Sequence, residues 1–329
     1  MNNVAGRLEK ETKFYEGMEE KLKNLAPIFK EYYTYMRANR MSYSTIREYV
    51  NQALHFANFV TKDNISNDFY KNITPSDVEN YIISLETRQT KNGIKRMGDD
   101  ILQTRWSSLN KFFSWLVKRG YLQENPIQAV DRPGNNVERK ITYLNKIEIG
   151  KLFKMVEKNP NKVVSLRDKA LFSLAIATGL RASALTNINL DDFDWENKIV
   201  KVIEKRQKTR EIPLGDNTIN TLKEWIIVRN KEFSDVNSNA LFISKKRNRL
   251  SGDAANDALK KYCEEAGIKK KITLHKLRAS AATNLAAANV DIQTIGHILG
   301  HKSTATTLKY VAVLDESKKN AVGILDKMV

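Results

Sequence analysis

The stretch LHKLRASAATNLAAANVDIQTIGHILGHKSTATTLKY, residues 274–310, holds three of the four histidines in this 329-residue chain. Within it, His275 and Arg278 stand three positions apart. If the stretch is helical, both side chains project from one face and can reach a single anion. The spacing therefore predicts a helix that presents an imidazole and a guanidinium to one ligand.

Two predicted helix boundaries carry further candidate residues. Gly300 is a typical helix-ending residue, so His301 is predicted in the following turn and Tyr310, nine residues on, in the next short helix. Upstream, in TGLRASAL, Arg181 follows Gly179 at the predicted start of a new helix, whose first amides also attract negative charge. Each residue taken singly is more often structural or solvated. Their combination indicates an anionic substrate.

A short β region lies between these two groups. The runs IVKVI at 199–203 and EIPL at 211–214 read as strands on either side of a basic hairpin, KRQKTR. Lys205 lies at the top of this hairpin, where a flexible ammonium can reach into a groove. Alternating βαβ units and a Gly-rich phosphate loop are absent from the sequence, which argues against a doubly wound nucleotide fold.

The N-terminal part has the spacing of helices. Apolar residues at intervals of three and four predict a helix over 22–36, and a capping-box pattern at Thr45 opens a second. Thr74 before a proline caps a third, and Gly120 ends a fourth. The first 130 residues are therefore predicted to form an all-helical bundle.

These elements define a mainly α fold, with an N-terminal helical bundle and an α+β domain that contains a small antiparallel sheet. The segment DRPGNNVERK, 131–140, breaks both periodicities and is predicted to link the domains. The predicted organisation is a charged segment at 1–20, a helical domain at 21–130, the linker, and a second domain at 141–329 that ends in a tail at 311–329.

The charge balance favours a polyanionic partner. The chain carries 55 Lys and Arg against 38 Asp and Glu, a net charge of +17. Residues 1–140 hold 22 basic and 17 acidic side chains, and residues 141–329 hold 33 and 21, so most of the excess lies in the second domain. Nucleic acid is the usual partner of such a surface. An anionic membrane is the competing interpretation, but acidic residues are interspersed and no one-faced basic helix is evident.

The expected location is the cytoplasm. No apolar run approaches the roughly 20 residues that span a bilayer, and MNNVAGRLEK lacks the apolar core of a secretory signal. A single cysteine, Cys263, excludes an intramolecular disulfide and any multi-cysteine metal site, in agreement with a reducing compartment.

The ordered set of TGLR, a basic hairpin, HxLR, and LGH followed nine residues later by Tyr resembles the tyrosine recombinase and integrase family, across nearly the whole chain. The resemblance implies a core-binding domain in the N-terminal bundle and a catalytic domain from about residue 140. It also implies six catalytic residues, namely Arg181, Lys205, His275, Arg278, His301 and Tyr310.

In the implied reaction, Tyr310 attacks a DNA phosphate that the two arginines bind, and a 3′-phosphotyrosine forms. His275 is the candidate base. Lys205 is the candidate proton donor to the departing 5′-oxygen, with Lys208 as the alternative if the hairpin register differs. The intermediate conserves the bond energy, so the resemblance implies neither ATP nor a metal cofactor.

The implied partner is double-stranded DNA, clamped between the two domains. The family resemblance implies a tetramer on two DNA sites, and the apolar residues Val322, Ile324 and Leu325 in the tail predict a helix that docks on a neighbouring protomer. Integration, excision and dimer resolution all remain open as the biological task.

One departure from the family pattern concerns Arg181. The family has an acidic residue three positions later, where this chain has Ala184. Either activity is reduced or another group supports the arginine, with Asp191 and Asp192 as candidates.

Three alternatives stay open at this stage. In a metal-dependent nuclease, Asp191, Asp192 and Asp194 of DDFD would be the ligands, although such a cluster is more often a solvated turn. A catalytically weakened DNA-binding protein of the same fold would explain Ala184. Supercoil relaxation would use the same tyrosine chemistry without strand exchange.

Overall fold

The computed structural model describes residues 12, 14–90, 93–134, 141–203, 209–301 and 303–311. The chain divides into two compact units, Met1–Glu138 and Arg139–Val329. Most of the predicted charged segment, residues 135–140 of the predicted linker and all but the first residue of the predicted tail lie outside the described residues. The domain ranges given above stay predictions.

The first unit is built from helices and one hairpin. Residues 14–22 form helix α1. The other elements are helices α2 (Pro27–Ala38), α3 (Tyr43–Thr61), α4 (Pro75–Ser84) and α5 (Asp99–Lys118), strands β1 (Thr87–Thr90) and β2 (Gly93–Arg96), and 3₁₀ turns at Phe69–Asn72 and Pro126–Ala129.

Aromatic side chains fill the core of this unit. Phe29 and Phe112 are fully buried and stack with their ring centroids 6.2 Å apart. Phe56 and Phe113 are also fully buried and meet edge to face at 5.6 Å. Such pairs add about 0.5–1.5 kcal/mol each beyond the burial of their area. The unit therefore has its own core, made by residues of α2, α3 and α5.

Two helix starts differ from the predictions. The predicted helix over 22–36 is broken, since α1 ends at 22 and α2 begins at Pro27. The break lies before the proline because a proline disfavours the helical conformation of the residue that precedes it. The second helix is capped by Ser42, whose hydroxyl accepts a hydrogen bond from the Thr45 amide at 3.3 Å. The predicted cap at Thr74 is confirmed, with a capping box to Asp77.

The hairpin is the element that the sequence analysis missed, so the first unit is not all-helical. Strands β1 and β2 are antiparallel, with Arg88 opposite Lys95 and Thr90 opposite Gly93. The dipeptide Asn-Gly at 92–93 is a strong hairpin signal. It did not lead to a predicted hairpin, because the flanking residues are mostly polar and lack the alternation of apolar and polar residues that indicates a strand.

The second unit contains eight helices and a sheet among its described residues. The helices are α6 (Lys146–Glu157), α7 (Lys162–Thr178), α8 (Ala182–Asn187), α9 (Asp216–Glu232), α10 (Gly252–Glu265), α11 (Leu274–Ala287), α12 (Ile292–Leu299) and α13 (Thr304–Val311). The strands are β3 (Phe193–Asp194), β4 (Ile199–Ile203) and β5 (Thr209–Pro213), in the order β3-β4-β5. The predicted mainly α fold with a small antiparallel sheet is confirmed.

The sheet pairs in the predicted antiparallel sense. Val200 lies opposite Ile212, and both are buried in the main core of the unit. Strand β5 begins at Thr209, two residues before the predicted start, because the ladder with β4 continues to the pair of Ile203 and Thr209. Consequently Arg210 is a strand residue rather than part of the turn.

A second, smaller core holds the C-terminal helices together. Ala279 and Ala282 of α11, Ile295 and Leu299 of α12, and Tyr310 of α13 form one buried cluster. Alanine on α11 allows close approach of the two helices that follow it. Across the described residues, no helix is both long and apolar enough to span a membrane.

Gly179 is where helix α7 meets this cluster. It caps α7 in the left-handed conformation, with φ +57°, and a Cβ added there would overlap Cδ2 of Leu299. Only a residue without a side chain satisfies both demands.

We expect Gly179→Ala to destabilise the second unit by about 2–4 kcal/mol, from left-handed strain together with overpacking. The matched control is Gly267→Ala, which has φ +68° and open space around the added Cβ, and it should lose about 1–2 kcal/mol. Urea unfolding, followed by amide hydrogen exchange in α7 and α11, measures both. Equal losses in the two variants would contradict this packing account.

Candidate active site

Arg278 is a buried charge at the centre of the site. Its side chain lies on α11 and is only 2% exposed, and its Nη1 donates a hydrogen bond of 2.7 Å to the carbonyl of Gly179. A buried guanidinium needs such partners, because desolvation of a charge is costly. The bond fixes the guanidinium against the turn between α7 and α8, two residues before Arg181.

Arg181 is placed by the same turn. It is the N-cap residue of α8, as predicted, and its carbonyl accepts the amide of Leu185 at 2.9 Å. Its side chain is exposed, in contrast to that of Arg278. The positive charge of Arg181 nonetheless helps to lower the pKa of both His275 and His301. The turn thus places one buried and one exposed guanidinium beside the same two imidazoles.

His275 lies in the first turn of α11, three residues before Arg278, so the predicted common helix is confirmed. Partial burial lowers the pKa of the imidazole, and the charges of Arg278, Lys276 and Arg181 lower it further. Both effects disfavour the cationic form. At neutral pH the ring is therefore neutral and able to accept a proton.

His301 follows the left-handed cap Gly300, which has φ +67°, in the predicted turn. Burial, then the charges of Arg278, Arg181 and Arg210, lower its pKa to about 4. Its Nδ1 shares a hydrogen bond of 2.8 Å with the hydroxyl of Thr307, which is fully buried. Thr307 thereby fixes the orientation of a neutral ring.

Tyr310 lies on α13, as predicted, and is 9% exposed. Its ring stacks on that of His301, with centroids 6.0 Å apart and planes inclined by 14°. The candidate nucleophile is therefore held against one candidate histidine, while both arginines influence that histidine. The structure brings together five of the six predicted site residues.

The sixth, Lys205, lies outside the described residues, and so does its alternative, Lys208. The two strands on either side are described, and their last pair joins Ile203 to Thr209. The assignment of a catalytic lysine to this hairpin stays a prediction.

Two polar residues near the site were missed by the sequence analysis. Thr307 orients His301, and Arg210 on β5 donates hydrogen bonds from Nη1 to the carbonyls of His297, at 3.1 Å, and Ile298. Strand alternation was the signal for Arg210, because its backbone partner Val202 is a core residue of β4. Thr307 has no comparable signal in a polar, threonine-rich stretch.

The acidic residues considered above have structural hydrogen-bond partners, in local turns for Asp192 and Asp194 and across 48 positions for Asp191. Asp191 accepts a hydrogen bond of 2.6 Å from the side chain of Asn239, and Asp192 accepts one of 2.7 Å from the Asn189 amide. Asp194 accepts two from Asn197. Ala184 is partly buried against the main core, where a carboxylate would have to be desolvated. In the part of the chain that the structure describes, no group of three or more His, Cys, Asp or Glu side chains is arranged to hold a metal ion.

A small pocket adjoins these residues. Its volume is about 220 Å³, and His301 and Thr307 form one wall. Gln293, Gly296, His297, Ser303 and Thr304 complete it. The pocket is partly open to solvent on the side of the site formed by α12 and α13.

Comparison with known proteins identifies the family. Residues 142–317 match the phage integrase family, and residues 29–120 match the N-terminal SAM-like domain of phage integrases. The tyrosine recombinase XerC of Alcanivorax borkumensis is 32% identical over 238 residues, which are 72% of this chain and 75% of that protein. XerC of Syntrophus aciditrophicus is 28% identical over 300 residues, 87% of this chain and 93% of that protein.

Solved structures show the same fold. The XerH site-specific recombinase bound to its palindromic difH substrate superposes with a TM-score of 0.69 at 22% identity, over 88% of this chain and 82% of that one. A lambda integrase dimer bound to a COC′ core site gives 0.67 at 17% identity, over 88% and 96%.

The chain belongs to the phage integrase family of tyrosine recombinases. It is an enzyme, a tyrosine-type site-specific DNA recombinase. These matches do not favour the metal-dependent nuclease or the non-enzymatic DNA-binding protein.

The depressed basicity of His301 is directly measurable. We expect its ring to titrate with a midpoint of about 4 by NMR of histidine-labelled protein, where His301→Gln assigns the signal among four histidines. An ordinary histidine titrates near 6.5, so between about 6.5 and 4 the unfolded chain binds more protons than the folded one. The folded state is therefore progressively destabilised as the pH falls through this window.

His301→Gln should correspondingly weaken the pH dependence of urea unfolding between pH 6.5 and 4, because glutamine does not titrate. A wild-type midpoint near 6.5, or an unchanged pH dependence in the variant, would show that burial and the neighbouring arginines do not lower the pKa of this ring.

Proposed function

We propose that Tyr310 is the nucleophile of this recombinase and that Arg181 and Arg278 bind the nonbridging oxygens of the scissile phosphate. One observation carries the proposal: both guanidiniums lower the pKa of both histidines, and one of those histidines stacks on Tyr310. Together with the bond from Arg278 to Gly179, two residues before Arg181, this influence supports a grouping of the five side chains around one volume. In the absence of substrate this volume has an excess of positive charge that a phosphodiester complements.

The two arginines have different parts in this scheme. Arg278 is buried and fixed by the Gly179 carbonyl, so its charge is preorganised before substrate arrives. Arg181 is exposed and supplies a second planar fork, which suits two oxygens of one phosphate. As the transition state gathers negative charge on those oxygens, both guanidiniums stabilise it without a metal ion.

The histidines act in their neutral forms. A tyrosine phenol must lose its proton to attack phosphorus, and neutral His275 is the base that accepts it. Neutral His301 is oriented by Thr307 and stabilises the reacting phosphate by hydrogen bonding. Arrival of the phosphate charge offsets the two arginines and makes both imidazoles more basic, which favours proton acceptance when substrate is bound.

The covalent step balances without a cofactor. The Tyr310 oxygen forms a bond to phosphorus while the bond from phosphorus to the 5′-oxygen breaks, and Lys205 gives that oxygen its proton. Lys208 is the second candidate for this donor. A 5′-hydroxyl from another strand then attacks the 3′-phosphotyrosine, which releases Tyr310 and rejoins the DNA.

Duplex DNA is the substrate in this proposal. The net charge of +17 favours it, and the related XerH and lambda integrase structures were solved with their DNA sites. We assign DNA binding to the helical domain at 21–130 and the chemistry to the domain at 141–329. Because the substrate is cellular DNA, we place the enzyme in the cytoplasm, acting in integration, excision or dimer resolution.

We further propose that the active assembly is a tetramer on two DNA sites. A lambda integrase tetramer bound to a Holliday junction has the same fold, with a TM-score of 0.63. In this proposal the tail at 311–329 docks on a neighbouring protomer through Val322, Ile324 and Leu325.

The test of the chemistry is a covalent adduct on a nicked duplex that carries the target site, obtained by sequencing DNA that copurifies with the protein. We expect wild-type protein to form a denaturation-resistant adduct, with excess EDTA present or not, and Tyr310→Phe to form none. Tyr143→Phe is the matched control, because it removes a phenol from the same unit outside the site.

An adduct that persists in Tyr310→Phe would overturn the assignment of the nucleophile. Cleavage that requires a divalent cation and leaves no adduct would favour the metal-dependent nuclease instead.

The test of the tail is deletion of residues 317–329. We expect loss of the tetramer on paired sites, measured by analytical ultracentrifugation, with affinity for a single site within about threefold of wild type, since the phosphate contacts remain. A truncated protein that still forms tetramers would contradict the docking proposal.

A further inference from the structure

Arg210 connects the sheet of the second unit to the turn that carries His301. It lies on β5, where its backbone pairs with Val202, and its side chain is half-buried. From there, Nη1 donates to the carbonyls of His297 and Ile298. These carbonyls belong to the last turn of α12, where few amides remain to bond them; that of His297 also accepts the Gly300 amide at 3.1 Å. A guanidinium at this end also complements the negative pole of the helix.

The position of this helix end sets the position of His301. Helix α12 finishes at Leu299, Gly300 turns the chain, and the His301 amide donates to the carbonyl of Gly296 at 2.9 Å. His301 is thus bonded back onto the same last turn that Arg210 holds. A shift of that turn moves the imidazole relative to Tyr310 by a similar amount.

Arg210 also acts on His301 through its charge. The positive groups that lower the basicity of the imidazole are Arg278, Arg181 and Arg210, and only the last of these lies on the sheet. The first two are already assigned to the phosphate. Arg210, by contrast, donates hydrogen bonds to backbone carbonyls. The fold therefore fixes the position of its charge relative to His301.

We propose that Arg210 is a positioning residue for the recombination reaction, which holds the C-terminal turn of α12 and so fixes His301 against Tyr310. The inference rests on the proposed function, because it gives His301 a part in the chemistry. Arginine suits the task better than lysine, since its planar group directs N–H donors at two neighbouring carbonyls, whereas lysine carries one flexible ammonium.

A purely structural cap on α12 makes a different prediction. Its removal would lower the stability of the unit and, through loss of the charge, raise the His301 midpoint, but it would not slow adduct formation at saturating DNA. The measurement that separates the two roles is therefore the rate of adduct formation, with the NMR titration of His301 reporting the charge effect and DNA affinity measured alongside.

The variants are Arg210→Met, which removes the charge and donors, and Arg210→Lys, which keeps the charge. The matched control is Arg247→Met, because Arg247 also donates to a carbonyl near a helix end, that of Glu232 at 3.4 Å, but on an exposed loop.

We expect Arg210→Met to raise the His301 midpoint above about 4 and to slow adduct formation about 10- to 100-fold, with DNA affinity within about threefold of wild type. Arg210→Lys should keep the midpoint near the wild-type value and recover part of the rate, and it remains informative if the methionine variant fails to fold. Arg247→Met should leave all three measurements unchanged.

Equal rates in wild type and Arg210→Met, or an unmoved His301 midpoint in that variant, would overturn the inference while the proposed function stands. A wild-type protein that forms no adduct on its target site would overturn the proposed function first, and the role of Arg210 with it.

Discussion

The hydrogen bond from Arg278 to the carbonyl of Gly179 is the interaction on which the site depends. It joins α11, which also carries His275, to the turn that ends α7 and begins α8 at Arg181. That turn exists because Gly179 adopts a left-handed conformation where a side chain would overlap Leu299 of α12. Gly179 thus allows α7, α11 and α12 to pack closely, and the buried guanidinium of Arg278 bonds to this junction.

As a consequence, the site carries an excess of positive charge before DNA binds. Partial burial, and then the charges of Arg181 and Arg278, lower the pKa of both His275 and His301, so both rings can accept a proton. Neither histidine gains stability from this arrangement, because the charged form of each is penalised. The grouping of these arginines and histidines is therefore explained by function rather than by folding. This accords with the rule that strongly perturbed titratable groups concentrate at reactive sites.

Much of this could be predicted from the sequence, because helix periodicity and capping are local. The helix that carries His275 and Arg278, the turn at His301 and the helix of Tyr310 were all predicted, and so was the antiparallel pairing of β4 with β5. The incorrect predictions also concern local features. The break before Pro27 and the cap at Ser42 changed helix starts, and the hairpin at β1 and β2 was overlooked because its strands are polar.

Long-range contacts were beyond sequence reasoning. Nothing in the local pattern indicates that Arg210 reaches the end of α12, 87 and 88 positions further along the chain, or that Gly179 accepts a bond from a residue 99 positions away. The acidic residues Asp191 and Asp192 were candidates for supporting Arg181, and the structure pairs Asp191 with the side chain of Asn239 and Asp192 with the Asn189 amide. Spacing identified which residue types were available, and packing decided which of them meet.

The most direct test of the central claim is a crystal structure of the wild-type protein trapped on a suicide substrate. The account predicts a 3′-phosphate bonded to Tyr310, with guanidinium nitrogens of both Arg181 and Arg278 within about 3 Å of its nonbridging oxygens. A phosphate bonded to another residue, or a trapped complex in which either guanidinium points away from the phosphorus, would contradict it.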